Sequence, residues 1–373
     1  MAMSDGQYLR SGGAIRVLCA QCGCIGIVYS PEDCLRQYFK SDYDVSSSIQ
    51  NNLVVMENRE VVPKRSRVYS LLFEHLAALP GQGVNCLEIA CGEGDLIRNI
   101  KQTHPAWSCV GVDPSAQLPS AAGDGPKFIR GFFHDVDLPE NHFDVVIAHG
   151  FLNRSSILPE LARINRAAKP GALISLELLE LEDSHFAPYI WDHPFMYTRE
   201  MLRDYLGHGG MNVTVMQDCG SARHYLCRKA APSAAPASFQ AKPAAVVATL
   251  ERFQDHQGWW LDVLLNARAH RDKGKSPFYL FGAGIYNVVL GHLLELDFVA
   301  GIIDEQKAGE TRWGLPVLGI EQAAKRGGTV LVCARPSYLA VMLQKLAAAR
   351  LPAVVLNPAP PGEPLPMQRS GAA

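Results

Sequence analysis

Leu87-Glu88-Ile89-Ala90-Cys91-Gly92-Glu93-Gly94-Asp95 is the stretch whose reading settles the architecture. It follows an apolar run from Val84 and opens a segment, Asp95 to Lys101, in which Leu96, Ile97 and Ile100 fall on one helical face. A strand passing through a glycine turn into a helix leaves room for a ligand to approach the backbone at a helix N-terminus. A second apolar strand, Trp107 to Val112, ends in Asp113, 21 positions after Gly92. A carboxylate placed there accepts hydrogen bonds from both hydroxyls of a ribose, so the expected ligand contains a nucleoside. A dinucleotide fingerprint would have a third Gly where Ile97 stands.

Outward from this turn, strand-like and helix-like segments alternate from Val84 to Lys229. The Pro, Ala and Ser of Ala230 to Ala245 then interrupt every periodic pattern, and alternation resumes from Pro277 to Pro358 after a helical stretch. The expected organisation is a small cysteine-bearing N-terminal module (1–50), a first α/β domain (51–229), a linker (230–245), a second α/β domain (246–358) and a disordered tail (359–373). A length of 373 residues suits that count at about 150 residues per domain.

Composition narrows the function classes. With 35 Lys and Arg against 37 Asp and Glu, the chain lacks the basic excess that neutralises nucleic-acid phosphates, so no nucleic-acid partner is expected. The longest apolar run, Gly284 to Ile303, is broken by Asn287, His292, Glu295 and Asp297, so no membrane span is expected. Ala14 to Tyr29 makes a poor secretory signal, and ten cysteines spread through apolar segments fit a reducing, cytoplasmic setting.

The acidic residue at the strand end and the short G-x-G of the opening stretch resemble motif I of the class I S-adenosylmethionine-dependent methyltransferases. Phe128 to Leu138, Phe143 to Ala148 and Ala168 to Leu173 continue the resemblance, which covers roughly residues 66–229. It implies an α/β fold, a class I methyltransferase Rossmann-like sheet with a second Rossmann-like domain behind it. It also implies S-adenosylmethionine as cofactor, held by Glu88, Ala90, Gly92, Gly94 and Asp113, with Phe133 and Asp135 flanking the adenine. Two positions depart from the pattern: Ala90 stands where the family usually has Gly, and Arg154 where it often has His.

His185 to Thr198 is rich in aromatic and ionisable residues and resembles the acid-His-x-aromatic segment of the three-part sugar C-methyltransferases. That resemblance implies His193 as general base with Asp192 beside it, Tyr189, Trp191 and Tyr197 lining an acceptor pocket, and a small-molecule acceptor, a sugar or nucleotide sugar. A His near its ordinary pKa of about 6.5 takes a proton at neutral pH, which suits the role. The same Asp-His-Pro turn equally suits capping of the helix after Thr198, and the three aromatics equally suit a core. Cys19-Ala20-Gln21-Cys22-Gly23 has the form of a zinc knuckle, with Cys24 and Cys34 the nearby sulfurs available to complete four ligands.

Phe278 to Asn287 repeats the strand, glycine turn and helix, and Asp304 lies 20 positions after Gly284. This second turn leaves two other readings open: a nicotinamide-dependent sugar-modifying enzyme centred on the C-terminal domain, which lacks a Tyr-x-x-x-Lys pair, and a nucleotide-binding protein without turnover.

Overall fold

The computed structural model describes residues 2–3, 9–10, 15–27, 36–42, 54–57, 60–115, 117–118, 124–183, 185–190, 192–219, 222–230, 239–273, 277–334 and 336–357. The chain forms two compact units, residues 1–253 and 254–373. Among the described residues no helix is long and apolar enough to cross a membrane.

The first unit starts with short antiparallel pairs: β1 (Ala2–Met3) with β2 (Leu9–Arg10), β3 (Arg16–Leu18) with β4 (Ile25–Ile27), and β5 (Val54–Glu57) with β6 (Glu60–Pro63). Helix α1 (Lys64–Leu76) leads into a seven-stranded sheet. Its strands and helices follow as β7 (Asn85–Ile89), α2 (Asp95–Thr103), β8 (Ser108–Asp113), β9 (Lys127–Arg130), β10 (Phe143–His149), α3 (Ile157–Ala167), β11 (Ala168–Leu178), α4 (Arg199–His208), β12 (Met211–Asp218) and β13 (Arg223–Lys229). The strand order is β12-β13-β11-β10-β7-β8-β9, and every neighbouring pair is parallel except those that β13 makes with β11 and β12. The order of winding therefore reverses between β7 and β10, which opens a crevice at the carboxyl ends of those strands.

The alternation of side chains along the strands builds two cores, one on each face of this sheet. Val145 and Ile147 join Cys86, Cys109 and Leu226 under Leu72 and Leu76 of α1 and Leu96, Ile97 and Ile100 of α2. Val146 and Ala148 join Leu87, Ile89, Ile174 and Tyr225 under α3 and α4, which contribute Leu161, Ile164, Leu202 and Leu206. The face that the sequence assigns to α2 is the face it buries.

Helix α5 (Pro243–Lys273) begins inside the stretch expected as a linker, and the division between units falls within it. Ala241 and Ala245 are buried, and the Ala241 N–H donates to Gln21 O at 2.8 Å, so the end of that stretch is packed structure. The second unit comprises β14 (Phe278–Phe281), α6 (Ile285–Leu293), β15 (Val299–Ile303), β16 (Thr311–Arg312), β17 (Leu315–Leu318), α7 (Ile320–Arg326), β18 (Thr329–Val332), α8 (Pro336–Ala348) and β19 (Ala353–Val355). Its six-stranded sheet has the order β16-β17-β15-β14-β18-β19, parallel apart from the β16–β17 pair, as a Rossmann-like domain requires. The tail expected as disordered lies outside the described residues.

Candidate active site

Every residue named for the cofactor loop sits at the carboxyl end of β7 or β8 or in the turn after β7, beside the crevice. Cys91 N–H donates to Val112 O at 3.2 Å, tying the turn to β8. Gly92 N–H donates to Asp113 Oδ2 at 2.8 Å and Ser115 N–H donates to Oδ1 at 2.8 Å, so a carboxylate only 7% exposed holds both the glycine turn and its own strand end. Burial raises the Asp113 pKa, while these two N–H groups and the charge of Arg154 oppose the shift. Glu88 is also buried, and its Oε2 accepts the Ile97 N–H at 3.0 Å, which fixes the first turn of α2 to the strand.

The turn needs left-handed backbone at Ala90 (φ 55°), Gly92 (φ 56°) and Gly94 (φ 76°). At Gly94 there is no space for a side chain either, because a Cβ would lie 2.4 Å from Phe128 Cε1. Each Asp113 oxygen accepts one N–H and keeps a second lone pair. These residues fit a nucleoside-bearing cofactor: a turn with glycine at positions 92 and 94 beside a fixed carboxylate.

The adenine-flanking expectations separate in the structure. Phe133 is a core residue, edge-on to Phe151 at 5.9 Å with the Arg163 guanidinium over its ring. Asp135 is exposed and pairs with Arg36 at 2.5 Å, and that hydrogen bond lowers its pKa. Arg36 also contacts His134 Nε2 at 2.7 Å and stacks over Phe132, which brings the helical turn at residues 36–42 against this edge of the domain. The sequence carried no spacing signal for that contact.

Asp192 and His193 are 0% and 2% exposed. Arg154 Nη2 lies 3.3 Å from His193 Nε2, and since a guanidinium only donates, the contact turns the Nε2 lone pair toward Arg154. Arg154 therefore stands in the fields of both Asp113 and His193, linking the cofactor turn to the loop after β11. Asn153 stitches the same two regions: its Nδ2 donates to Leu179 O and Phe195 O, its Oδ1 accepts Leu179 N–H at 2.8 Å, and its carbonyl accepts Phe195 N–H. At the base of the loop the fully buried Glu180 accepts from Arg199 Nε at 2.8 Å, Arg223 Nε at 2.9 Å and the Tyr225 hydroxyl. Thr198 caps α4 through its Oγ1, so the cap comes from Thr198 rather than from the Asp-His-Pro turn that the alternative reading named.

Of the aromatics expected to line an acceptor pocket, Tyr189 is half-buried in this loop, and burial raises its pKa. Tyr197 is fully buried and packs edge-on to Tyr205 at 5.6 Å, so its ring serves the core. Trp191 lies outside the described residues.

The cysteine turn is formed as a knuckle, with Gly23 at φ 73°, Gly23 N–H donating to Cys19 O and Cys19 N–H donating to Cys24 O. Cys19 is exposed and Cys22 half-buried, while Cys24 points into the core, where burial pushes its thiol up to about 12. Among the described residues no three His, Cys, Asp or Glu side chains are placed to hold a metal ion, so the zinc expectation finds no ligand set here, and Cys34 lies outside those residues.

In the second unit Asp304 repeats the clasp of Asp113, accepting Ala283 N–H at 2.9 Å and Gln306 N–H at 3.1 Å. Asn287 donates from Nδ2 to Phe281 O at 2.9 Å and Gly282 O at 2.6 Å, tying the start of the helix back to the turn.

Residues 62–214 match the family of methyltransferase domains. The chain is 32% identical to the demethylmenaquinone methyltransferase of Thermotoga maritima over 113 residues, 28% of this chain and 48% of that protein. It is 26% identical to the demethylmenaquinone methyltransferase of Staphylococcus aureus over 132 residues, 33% of this chain and 52% of that protein. The chain thus spans about half the length of these relatives. Among solved structures, the geranyl diphosphate C-methyltransferase of Streptomyces coelicolor aligns with 45% of this chain and 79% of its own at 11% identity and a TM-score of 0.39. The matched segment, which contains most of the seven-stranded sheet and the glycine turn, is a class I S-adenosylmethionine-dependent methyltransferase domain.

Proposed function

We propose that the protein transfers a methyl group from S-adenosylmethionine to a small hydroxylated acceptor, a sugar or nucleotide sugar, with His193 as the base. The observation that carries the cofactor half of this reading is the clasp between Gly92 N–H and Asp113 Oδ2. Glu88, Ala90, Gly92, Gly94 and Asp113 would hold the cofactor, which supplies an electrophilic methyl group on a sulfonium. Methyl transfer is an in-line displacement, so the protein mainly aligns the partners and accepts the proton that the acceptor loses.

His193 suits the second task if the acceptor takes the place of Arg154 at Nε2, so that the lone pair faces the proton to be removed. Asp192 lies next to it in the chain, and its carboxylate is the negative charge that would offset the imidazolium formed if it faces the ring. The sugar is supported by the His185 to Thr198 segment and by the arrangement of a cysteine turn, a methyltransferase domain and a Rossmann-like domain. The two relatives are named for a demethylated menaquinone, so a quinone is the acceptor to run beside sugars.

Calorimetric titration with S-adenosylmethionine, followed by transfer of labelled methyl to nucleotide-linked deoxysugars and to a demethylated quinone, tests the reading. Asp113→Ala should weaken cofactor binding at least tenfold, since a hydrogen bond to a charged group contributes about 1.5–3 kcal/mol. Binding that is unchanged in Asp113→Ala, or label found in the quinone and in no sugar, sinks it.

A further inference from the structure

Arg16 lies on β3, more than 170 residues before His193, and its guanidinium gathers four backbone carbonyls of one loop. Nε donates to Pro188 O at 3.1 Å, Nη2 to Ile190 O at 2.6 Å, and Nη1 to both His193 O at 3.1 Å and Pro194 O at 3.0 Å. Four of its five N–H groups are thus used on a segment with no ladder of its own. Beside it the Ile25 N–H donates to Met196 O at 3.1 Å, and the Met196 N–H to Ile25 O at 2.9 Å, so β4 adds one rung of sheet just past His193. Ile25, Leu181, Ala187 and Met196 form a small core beneath these bonds.

We infer that the β3–β4 hairpin is a clamp for the base loop and that Arg16 is a positioning residue for His193. The inference rests on His193 being the base of the proposed reaction. The hairpin fixes the main chain of residue 193 through its carbonyl and leaves Nε2, which Arg154 contacts until the acceptor takes its place, facing the site. A planar fork spans four carbonyls at once, which a lysine ammonium with three donors on one atom does not. Displacing a reacting group by about 1 Å costs on the order of 100-fold in rate, so a clamp of this kind acts on turnover rather than on cofactor affinity.

The test compares Arg16→Ala and Arg16→Lys with the unaltered full chain in three measurements: kcat and KM for methyl transfer, S-adenosylmethionine affinity, and hydrogen exchange of the peptide covering residues 186–198. Arg16→Ala should lower kcat about 10- to 100-fold with cofactor affinity and KM within about twofold, and speed exchange in that peptide while residues 85–100 stay protected. Arg16→Lys should recover part of kcat. Unchanged kcat and exchange in Arg16→Ala, or a loss of cofactor affinity with exchange raised throughout the first unit, overturns the inference. If the unaltered protein methylates no acceptor, the proposed function fails by itself, and the exchange comparison still decides whether Arg16 clamps the loop.

Discussion

Ala90 is the residue at which chemistry and backbone disagree most. It adopts φ 55° in a turn whose other left-handed positions are glycines. A Cβ in that region costs about 1–2 kcal/mol, while a glycine there costs about 0.5–1 kcal/mol more chain entropy on folding. The strain outweighs the entropy, so Ala90→Gly should stabilise the protein by about 0.5–1 kcal/mol in urea unfolding, with S-adenosylmethionine affinity kept. A loss of stability would mean that the packing of the Ala90 methyl outweighs the strain. Gly94→Ala should do the opposite: with φ 76° and a Cβ 2.4 Å from Phe128, the turn must shift, and calorimetry should show cofactor binding weakened at least tenfold. The glycines, Asp113 and the acid at Glu88 were legible in the sequence because they sit at fixed offsets from one strand end. Arg16, Asn153 and Glu180 were not, because each works across a long stretch of chain, where single polar residues leave no spacing to read.

At the scale of elements, the loop between β11 and α4 shows how irregular chain is kept in one conformation. Its floor is Glu180, whose carboxylate is removed from water and offset by Arg199, Arg223 and Tyr225, drawn from α4 and the reversed strand β13. Breaking a buried pair leaves an uncompensated charge and costs about 3–5 kcal/mol. Arg223 is 11% exposed and Arg199 34%, so Glu180→Ala removes a carboxylate partner mainly from Arg223 and should destabilise the first unit by about 3 kcal/mol, the lower end of that range. Glu180→Leu combined with Arg223→Met should recover a good part of it. Both are read by urea denaturation, and an Ala variant within about 1 kcal/mol of the unaltered protein would show that the charges are solvated after all. The alternation read from Val84 to Lys229 carries no sign of pairing order, so that β13 inserts antiparallel between β11 and β12 was not legible in it.

At the scale of the whole molecule, two sheets each present the same strand, turn and acidic clasp, Gly92 with Asp113 in one and Ala283 with Asp304 in the other. They differ in the helix that follows. In the first, Ile97 turns its side chain into the core and the turn is held by Glu88 from the strand. In the second, Asn287 reaches back to the carbonyls of Phe281 and Gly282. Asn287 is 2% exposed, so removing its amide leaves two carbonyls without those donors at an expected cost of about 1–3 kcal/mol. The two units have separate cores, and chains of this kind commonly depart from two-state unfolding. Calorimetric scans should resolve two transitions, with Asn287→Ala lowering one and Glu180→Ala lowering the other. S-adenosylmethionine should raise only the transition that Glu180→Ala lowers, because a ligand stabilises the unit that binds it. If S-adenosylmethionine instead raises the transition that Asn287→Ala lowers, the cofactor belongs to the Asp304 turn, and the assignment of the two clasps must be exchanged.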